Sequence, residues 1–223
     1  PASITKIMTV YTALKEIGNR RLDYDGSALI SKKAWKMGGS RMFVEAGEKV
    51  SVEKLLKGII IQNANDASVA LAEHIAGSEN AFVKLMNQYA ARLGMKNTHF
   101  KNSTGFPDAE HLTTARDIAT LSRALIKEFP GSYADFKEKE FAYNNIKQYN
   151  RNKLLWRDEN VDGLKSGHTE SSGYSLVTSS KHKDLRLISV VFGTKSEQAR
   201  ADISQKLLDQ GFRYFESRGG GVM

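Results

Sequence analysis

The stretch Pro1-Ala-Ser-Ile-Thr-Lys6, continued by Ile7-Met-Thr-Val-Tyr-Thr-Ala-Leu14, governs how the rest of this 223-residue chain is interpreted. Its apolar residues recur at steps of three and four, which predicts a helix with one wide buried face. These residues are Ile4, Ile7, Met8, Tyr11, Leu14 and Ile17. Pro1 suits a first-turn position, because its missing N–H would have no intrahelical partner there anyway.

Ser3 and Lys6 are three residues apart, so their side chains share one face of this predicted helix. A lysine in a dry site has a lowered pKa and can take the proton of a neighbouring serine. The positive end of the helix dipole would also favour the developing oxyanion. The pair is therefore a candidate nucleophile and base. The alternative is that Ser3 only caps a helix whose role is packing. A serine followed three residues later by lysine arises about once by chance in a chain of this length.

Composition narrows the class of protein. A hydrophobic content of 40% with only three prolines indicates a folded globule, and 223 residues suffice for one large domain or two intimate subdomains. The chain has no cysteine, which excludes disulfide and thiolate chemistry. The five histidines show no metal-binding spacing, so we expect no zinc site.

The net charge of +8 comes from dispersed basic residues rather than a long tract. We find no recognition helix, zinc finger or aromatic-basic RNA signature, so nucleic acid is not an expected partner. A basic surface remains compatible with anionic lipid or an anionic cell-wall polymer. No apolar run reaches the length of a membrane span. No signal peptide precedes the opening helix, which suggests processing or truncation.

The middle of the chain, about residues 31–130, predicts four or five helices. Expected helix starts are capped by Ser51, by Ser78 and by Thr113 or Thr114. Short strands are possible at 28–30 and 42–44.

Gln62-Asn-Ala-Asn-Asp-Ala67 interrupts the helical pattern with clustered polar residues. Asn65 or Asp66 is either an ordinary N-cap or part of an amide-bearing cleft beside the nucleophile.

The last third predicts three adjacent antiparallel strands at 161–169, 173–180 and 185–192. The third is the most apolar and is predicted to be the central strand. A final helix starts at Ser196 and carries four apolar residues, Ile203, Leu207, Leu208 and Phe212. Strands next to helices indicate an α+β layer structure. Residues 219–223 are interpreted as a linker or tail.

Several of these segments together resemble one known family. The segments are Ser3-Ile-Thr-Lys6, Asn63-Ala64-Asn65, Lys165-Ser166-Gly167 with the following His168-Thr169, Asn150 to Trp156, and Leu208 to Phe215. In this order they resemble the penicillin-binding proteins of the D-alanyl-D-alanine carboxypeptidase type, which are peptidase S11-like and belong to the serine β-lactamase and transpeptidase superfamily. The resemblance runs from Pro1 to about Arg218.

The resemblance implies one transpeptidase-like catalytic domain over residues 1–218. It would combine a helical subregion at about 31–130 with a sheet subregion at about 157–216. The implied fold is α+β, with an antiparallel sheet flanked by helices and an all-helical subdomain. Relatives place sheet strands before the serine helix, and this sequence is expected to lack them.

The family's chemistry implies a role for each matched motif. Ser3 would attack the carbonyl between two D-alanines, and Lys6 would take its proton. Asn65 would hold the substrate amide and help keep Lys6 in place. A second catalytic-motif position falls on Asn63. No metal or cofactor is required.

The third motif and its surroundings would bind substrate. Lys165 would supply positive potential, while the Ser166 hydroxyl would bind the substrate carboxylate. Gly167 would permit close approach, and the His168 backbone N–H would join that of Ser3 in an oxyanion hole.

One basic residue has two possible roles, because Arg151 either pairs with a carboxylate or helps to bind substrate.

The implied partners are a peptidoglycan stem peptide and β-lactam antibiotics, in a bacterial cell envelope. Membrane contact would come only through segments that this sequence lacks, such as the amphipathic anchor of many relatives.

The sequence departs from the family at Asn63, where the motif has serine. An amide cannot relay a proton as a hydroxyl does, so slower turnover is expected. The leading hypothesis is a serine-type D-Ala-D-Ala carboxypeptidase. A class A-like β-lactamase is disfavoured, because Asp158-Glu159-Asn160 is the nearest match to its glutamate loop and has the wrong spacing. The remaining alternatives are a pseudoenzyme that binds muropeptides or β-lactams and, distantly, a basic nucleic-acid module.

Overall fold

The computed structural model describes residues 1–218, and the predicted tail at 219–223 lies outside the described residues. The helices in this part are α1 Lys6–Gly18, α2 Lys32–Trp35, α3 Val52–Ile61, α4 Asn65–Ala76, α5 Glu79–Arg92, α6 Ala115–Glu128, α7 Pro130–Tyr133, α8 Leu154–Arg157 and α9 Glu197–Glu216. The strands are β1 Ser27–Leu29, β2 Lys49–Ser51, β3 Glu140–Tyr143, β4 Ile146–Tyr149, β5 Val161–Thr169, β6 Gly173–His182 and β7 Leu185–Thr194. This mixture of helices and antiparallel strands confirms the predicted α+β class.

Helix α1 lies at the centre of the molecule. It contacts α3, α4, α5 and α6, and its residues 6–14 are all buried. The sequence predicted one buried face, whereas burial on every side marks a central core helix. The serine turn also differs from the prediction, because Ala2–Thr5 forms a 3₁₀ helix and the α-helix begins only at Lys6. Ser3 therefore lies on a tight turn at the entrance to α1.

Three of the predicted helix caps are confirmed. The Ser51 hydroxyl accepts from the Lys54 N–H at 3.2 Å, and the Ser78 hydroxyl accepts from the Ala81 N–H at 3.1 Å. Thr114, one of the two alternatives at the third cap, starts α6 in the same way. Each hydroxyl satisfies one of the backbone donors that a helix start leaves free.

The predicted strand at 42–44 is wrong. Its backbone N–H groups are held instead by the Asp66 carboxylate, at 3.0 Å for Met42, 2.9 Å for Phe43 and 3.2 Å for Val44. Asp66 is therefore not the cap of its own helix. The residue at the N-cap of α4 is Ala64. The strand predicted near 28 does exist, as β1, and it pairs with β2.

The three long strands form an antiparallel sheet in the order β5-β6-β7, which corrects the prediction that the third strand is central. Each hairpin places a strand beside its predecessor, so β6 lies in the middle. The apolar density of β7 has another cause, because both α9 and α6 pack against that strand. At the opposite edge, β5 packs against the turn that carries Ser3.

Helix α9 is confirmed, and of its four apolar residues Leu208 is buried and Phe212 packs against the same cluster. Ile203 and Leu207 are 43% and 45% exposed, whereas Ala201 and Leu208 are buried. Within residues 1–218, no helix has the length and apolarity needed to cross a bilayer. The division into a helical subregion at 31–130 and a sheet subregion at 157–216 stays a prediction.

Candidate active site

The Lys6 amine is fully enclosed and has three oxygen neighbours. Its Nζ lies 2.9 Å from Ser3 Oγ, 2.8 Å from Asn65 Oδ1 and 2.6 Å from the Thr104 carbonyl oxygen. The side chain is 0% exposed. The 3₁₀ turn and the first turn of α1 supply the serine and the lysine, the start of α4 supplies the amide, and a loop supplies the carbonyl.

The three contacts assign the roles of the amine when it is neutral. A neutral amine has two N–H donors and one lone pair. The Asn65 and Thr104 oxygens are carbonyl oxygens that can only accept, so they take the two N–H groups. The lone pair then faces the Ser3 hydroxyl, which can donate its proton. In this geometry a neutral Lys6 can accept the proton of Ser3.

The surroundings favour the neutral amine. Burial is the largest cause that lowers the pKa of Lys6, and the nearby charges of Lys165 and Arg151 lower it further. The Asp66 carboxylate acts in the opposite sense and raises it. The lysine pKa lies well below its ordinary value as a result.

Asn65 is held on both sides of its amide. Its Oδ1 accepts from Lys6, and its Nδ2 donates to the Gly38 carbonyl at 2.9 Å. Gly39 has a φ of +74°, and a Cβ there would stand 2.7 Å from Asn65 Nδ2. The N-cap interpretation of Asn65 is therefore wrong, since its side chain faces away from its own helix start. The structure instead joins it to the serine and lysine.

Asn63 lies at a backbone conformation that suits its residue type. Its φ is +62°, in the left-handed region that asparagine tolerates better than most residues. It lines the same cavity as Ser3 and is 7% exposed. Its Oδ1 is buried and has no hydrogen-bond partner within residues 1–218.

Strand β5 brings the third motif beside the serine. A Cβ on Gly167 would lie 3.2 Å from the Ser3 backbone nitrogen and 3.3 Å from Ala2 Cβ. The glycine thus lets β5 approach the nucleophile's own turn, which is a more specific reason than the close approach to substrate that we predicted. Ser166 is 5% exposed, and the exposed His168 ring stacks on Tyr174 with centroids 3.9 Å apart.

Lys165 occupies a different setting from Lys6. Its Nζ donates to the carbonyls of Ile59 at 3.2 Å and Ile60 at 3.4 Å, near the end of α3. Burial, followed by the charges of Arg151 and Arg200, lowers its pKa to about 7. Among the described residues, those that line the cavity include its neighbour Ser166 but not Lys165 itself.

A cavity of about 270 Å³ opens above Ser3. It is lined by all the predicted site residues except the two lysines, namely Ser3, Asn63, Asn65, Arg151, Ser166, Gly167 and His168. Its wall also includes Arg200 and Glu197, and Glu197 already pairs with Lys153 at 2.9 Å. Two arginines against one carboxylate leave this wall positive, which suits an anionic ligand group.

Two contributors to the site were missed from the sequence. The Thr104 carbonyl has no side-chain signature, so nothing in the sequence could have marked it. Arg200 could have been found, because it is four and eight residues before Ser204 and Leu208 and so lies on the same, buried face of α9. A charged residue on a buried helix face usually has a specific partner. Its guanidinium is buried and donates to the Gly167 carbonyl at 3.1 Å.

The β-lactamase alternative gains nothing from the geometry. Asp158, Glu159 and Asn160 line a separate cavity with Trp156 and Gln205. They are not among the described residues that surround Ser3.

Comparison with known proteins identifies the family of the chain. The peptidase S11 model, described as D-alanyl-D-alanine carboxypeptidase, matches residues 1–196. The chain belongs to this family. It is similar to D-alanyl-D-alanine carboxypeptidase DacC of Escherichia coli strain K12, at 46% identity over 224 residues that cover 97% of this chain and 56% of that protein. The chain therefore spans about half the length of the curated relatives it matches.

Solved structures of this family share the fold. Penicillin-binding protein 5 from Haemophilus influenzae aligns with a TM-score of 0.93 at 41% identity, over 96% of this chain and 63% of that one. Penicillin-binding protein D2 from Listeria monocytogenes, in its ampicillin-bound form, aligns with a TM-score of 0.85 at 26% identity, over 95% of this chain and 86% of that one. The predicted family and fold are confirmed.

Proposed function

We propose that this chain is the catalytic domain of a serine-type D-Ala-D-Ala carboxypeptidase. It would remove the terminal D-alanine from peptidoglycan stem pentapeptides through an acyl-enzyme on Ser3, and β-lactams would acylate the same atom. The observation that carries the proposal is the contact set of Lys6, which leaves a lone pair for the Ser3 hydroxyl at 2.9 Å. The family of the chain and the ampicillin-bound neighbour support it.

The first half of the reaction forms the acyl-enzyme. Ser3 Oγ attacks the carbonyl between the two D-alanines while its proton passes to Lys6 Nζ. The backbone N–H groups of Ser3 and His168 stabilise the oxyanion, typically by a few kcal/mol each. The peptide C–N bond then breaks, and the leaving D-alanine nitrogen receives the proton that Lys6 took.

The second half releases the product. Water attacks the acyl carbonyl and gives a proton to Lys6, which returns it to Ser3 Oγ as the ester bond breaks.

The substrate's terminal carboxylate binds the Ser166 hydroxyl and the positive wall formed by Arg151 and Arg200, with the Lys165 charge behind it. Asn65 holds Lys6 and presents its amide to the substrate. The site of action is the bacterial cell envelope.

The experiment follows a fluorescent penicillin by intact mass and by gel. We expect one adduct per chain on the wild type and none on Ser3→Ala, because that variant lacks the nucleophile. Ser27→Ala removes an exposed hydroxyl in β1 and should label like the wild type. Labelling of Ser3→Ala would contradict the assignment of the nucleophile. D-alanine release from a stem pentapeptide then tests hydrolysis.

A second candidate, a binding pseudoenzyme, is favoured by one observation. Asn63 stands where a hydroxyl would relay a proton, and its Oδ1 has no partner in the described part of the chain. A stable adduct at Ser3 without D-alanine release would favour this candidate. Rapid loss of the adduct with drug turnover would favour a β-lactamase instead.

A further inference from the structure

A buried histidine that the reaction does not use lies below the nucleophile's turn. His111 is 5% exposed, and its Nε2 lies 2.7 Å from Thr5 Oγ1. Its other nitrogen, Nδ1, accepts from the Lys101 backbone N–H at 2.9 Å. Thr5 is two residues from Ser3 and adjacent to Lys6, so the ring touches the segment that carries both groups.

These two contacts decide which ring nitrogen carries the proton. A backbone N–H can only donate, so Nδ1 must be unprotonated. Nε2 therefore carries the hydrogen and donates it to the Thr5 hydroxyl. Burial lowers the pKa of His111 to about 4, which keeps the ring neutral at neutral pH. Each nitrogen thus has one fixed role.

The loop held by His111 also supplies an acceptor to the catalytic base. Residues 99–112 are closed at their ends by reciprocal backbone hydrogen bonds between His99 and Leu112. Inside the loop, the Thr104 carbonyl accepts from Lys6 Nζ. Gly105 has a φ of +94°, and a Cβ there would overlap the Ala2 carbonyl. The loop is therefore seated directly on the 3₁₀ turn.

One imidazole thus joins the two parts that set the position of the base. On one side it holds the turn with Ser3, and on the other it holds the loop with the Thr104 carbonyl. The Thr9 hydroxyl, which donates to the Ser103 carbonyl at 2.7 Å, is a second tie between α1 and this loop. It lies one turn further along the helix from Thr5, so it does not fix the serine turn itself.

We propose that His111 is a positioning residue for acyl transfer, which fixes the serine turn relative to the loop that supplies an acceptor to Lys6. This inference rests on the proposed function, since it assigns Lys6 as the base. Misplacing reacting groups by about 1 Å can cost about 10²-fold in rate. The histidine would act through Thr5 and Thr104 and would not touch the substrate.

Two substitutions remove the bond between the ring and Thr5, one from each side. His111→Asn keeps an acceptor near the position of Nδ1 and loses the donor to Thr5. Thr5→Val removes the same hydrogen bond from the other side with little change in volume. We expect both variants to slow acylation by fluorescent penicillin about 10- to 100-fold. The double variant should be no slower than the slower single one, because both remove one bond.

The pH profile of acylation distinguishes positioning from a loss of stability. The Thr104 carbonyl favours the charged amine, so moving it away lowers the pKa of Lys6 further. The acid limb of the acylation profile should therefore shift to lower pH in both variants. A variant that is merely less stable would keep the limb in place. The matched control is Thr12→Val, a buried threonine of α1 whose hydroxyl has no partner within residues 1–218.

A second measurement needs no activity. Ring nitrogen shifts should report the Nε2–H tautomer of His111, and the amide resonances of Ser3 and Gly105 should move in His111→Asn and Thr5→Val but not in Thr12→Val. If fluorescent penicillin did not label the wild type, the proposed function would be contradicted. The amide resonances would still test whether His111 connects the serine turn to the loop. The inference is overturned if Thr5→Val acylates within twofold of the wild type, or if both amides stay in place.

Discussion

Within residues 1–218 two lysines, Lys6 and Lys165, are buried, and the groups that surround them differ. Burial lowers the pKa of both, and the charge of Arg151 acts on both in the same direction. Lys6 meets two carbonyl oxygens and a hydroxyl, whereas Lys165 meets two carbonyl oxygens of α3. Only the first set contains a group that can give up a proton.

The comparison shows that a lowered pKa does not by itself make a base. Near the end of α3, the carbonyls and the negative end of the helix dipole favour a positive charge on Lys165. At Lys6 the two carbonyl partners fix the amine's orientation and leave the lone pair for Ser3. In the proposed reaction, the same residue type thus supplies a base at one place and a positive charge at another.

Replacing Lys6 should have the largest effect. Lys6→Met keeps the length and the packing of the side chain but has no lone pair of comparable basicity. We expect acylation by fluorescent penicillin to fall about 10³-fold or more, the upper range for loss of a general base. Stopped-flow fluorescence would give the rate, with intact mass as the end point.

The control for this variant lies on the same helix. Lys15 pairs with Glu128 at 3.0 Å and is partly exposed, so Lys15→Met should change acylation little. If Lys6→Met were acylated within tenfold of the wild type, another group would have to be the base.

Replacing Lys165 should have a smaller effect that depends on pH. In the proposed reaction the charge of Lys165 attracts the substrate carboxylate from behind the cavity. We therefore expect Lys165→Met to weaken binding of a carboxylate-bearing β-lactam about tenfold, or about 1.4 kcal/mol. In the wild type the attraction should fade as pH rises through about 7, where the amine loses its proton. Apparent affinities at several pH values between 5.5 and 8.5 would show whether the variant lacks this dependence.

The lowered pKa of Lys165 also makes the free energy of unfolding depend on pH. The folded-state pKa of about 7 lies below the ordinary lysine value of 10.5, so between these values the unfolded chain holds one more proton than the folded chain. Lys165 therefore makes the free energy of unfolding rise with pH through this window. Urea unfolding at pH 6.5 and 9 should show a smaller rise for Lys165→Met. An equal rise would contradict the lowered pKa.

Local patterns made much of the fold and site predictable. The steps of three and four around Lys6 predicted α1, and three caps followed from a serine or threonine before an apolar stripe. Alternation predicted β6, the glycines around Lys165 indicated β5, and apolar density indicated β7. The motif residues Ser3, Asn63 and Asn65 do line one cavity. The helix, the caps and the strands depend on side-chain types that are close together in the chain, whereas the joint placement of Ser3 and Asn63 was implied by the family resemblance.

The remaining features depend on contacts between distant segments. The Thr104 carbonyl is 98 residues from Lys6 and is a backbone group, so no residue type announces it. The apolar density of β7 suggested a central strand because α9 and α6 cover it, and the sequence does not state which elements cover a strand. The exposure of Ile203 likewise follows from how α9 turns on the sheet.

Along the chain, Asn63 lies between the residues that bind the two buried lysines. Lys165 donates to the carbonyls of Ile59 and Ile60, and Lys6 donates to Asn65. Asn63→Ser would place a proton-relaying hydroxyl there, and we expect acylation to rise by up to about tenfold, a modest share of what general acid–base catalysis supplies. Serine tolerates the left-handed backbone less well, at a cost of about 1 kcal/mol. A cost of this size should lower the melting temperature by about 2–4 °C in a chain of this length.

Asn63→Ala is the matched control for this substitution, because it removes the amide and has the same backbone cost but adds no hydroxyl. Comparing the acylation rates of the serine and alanine variants therefore isolates the relay. Faster acylation in Asn63→Ser than in both Asn63→Ala and the wild type is the expected result. Equal rates in the two variants would mean that the missing hydroxyl does not limit acylation, and that the proton returns from Lys6 to the leaving nitrogen without help from this position.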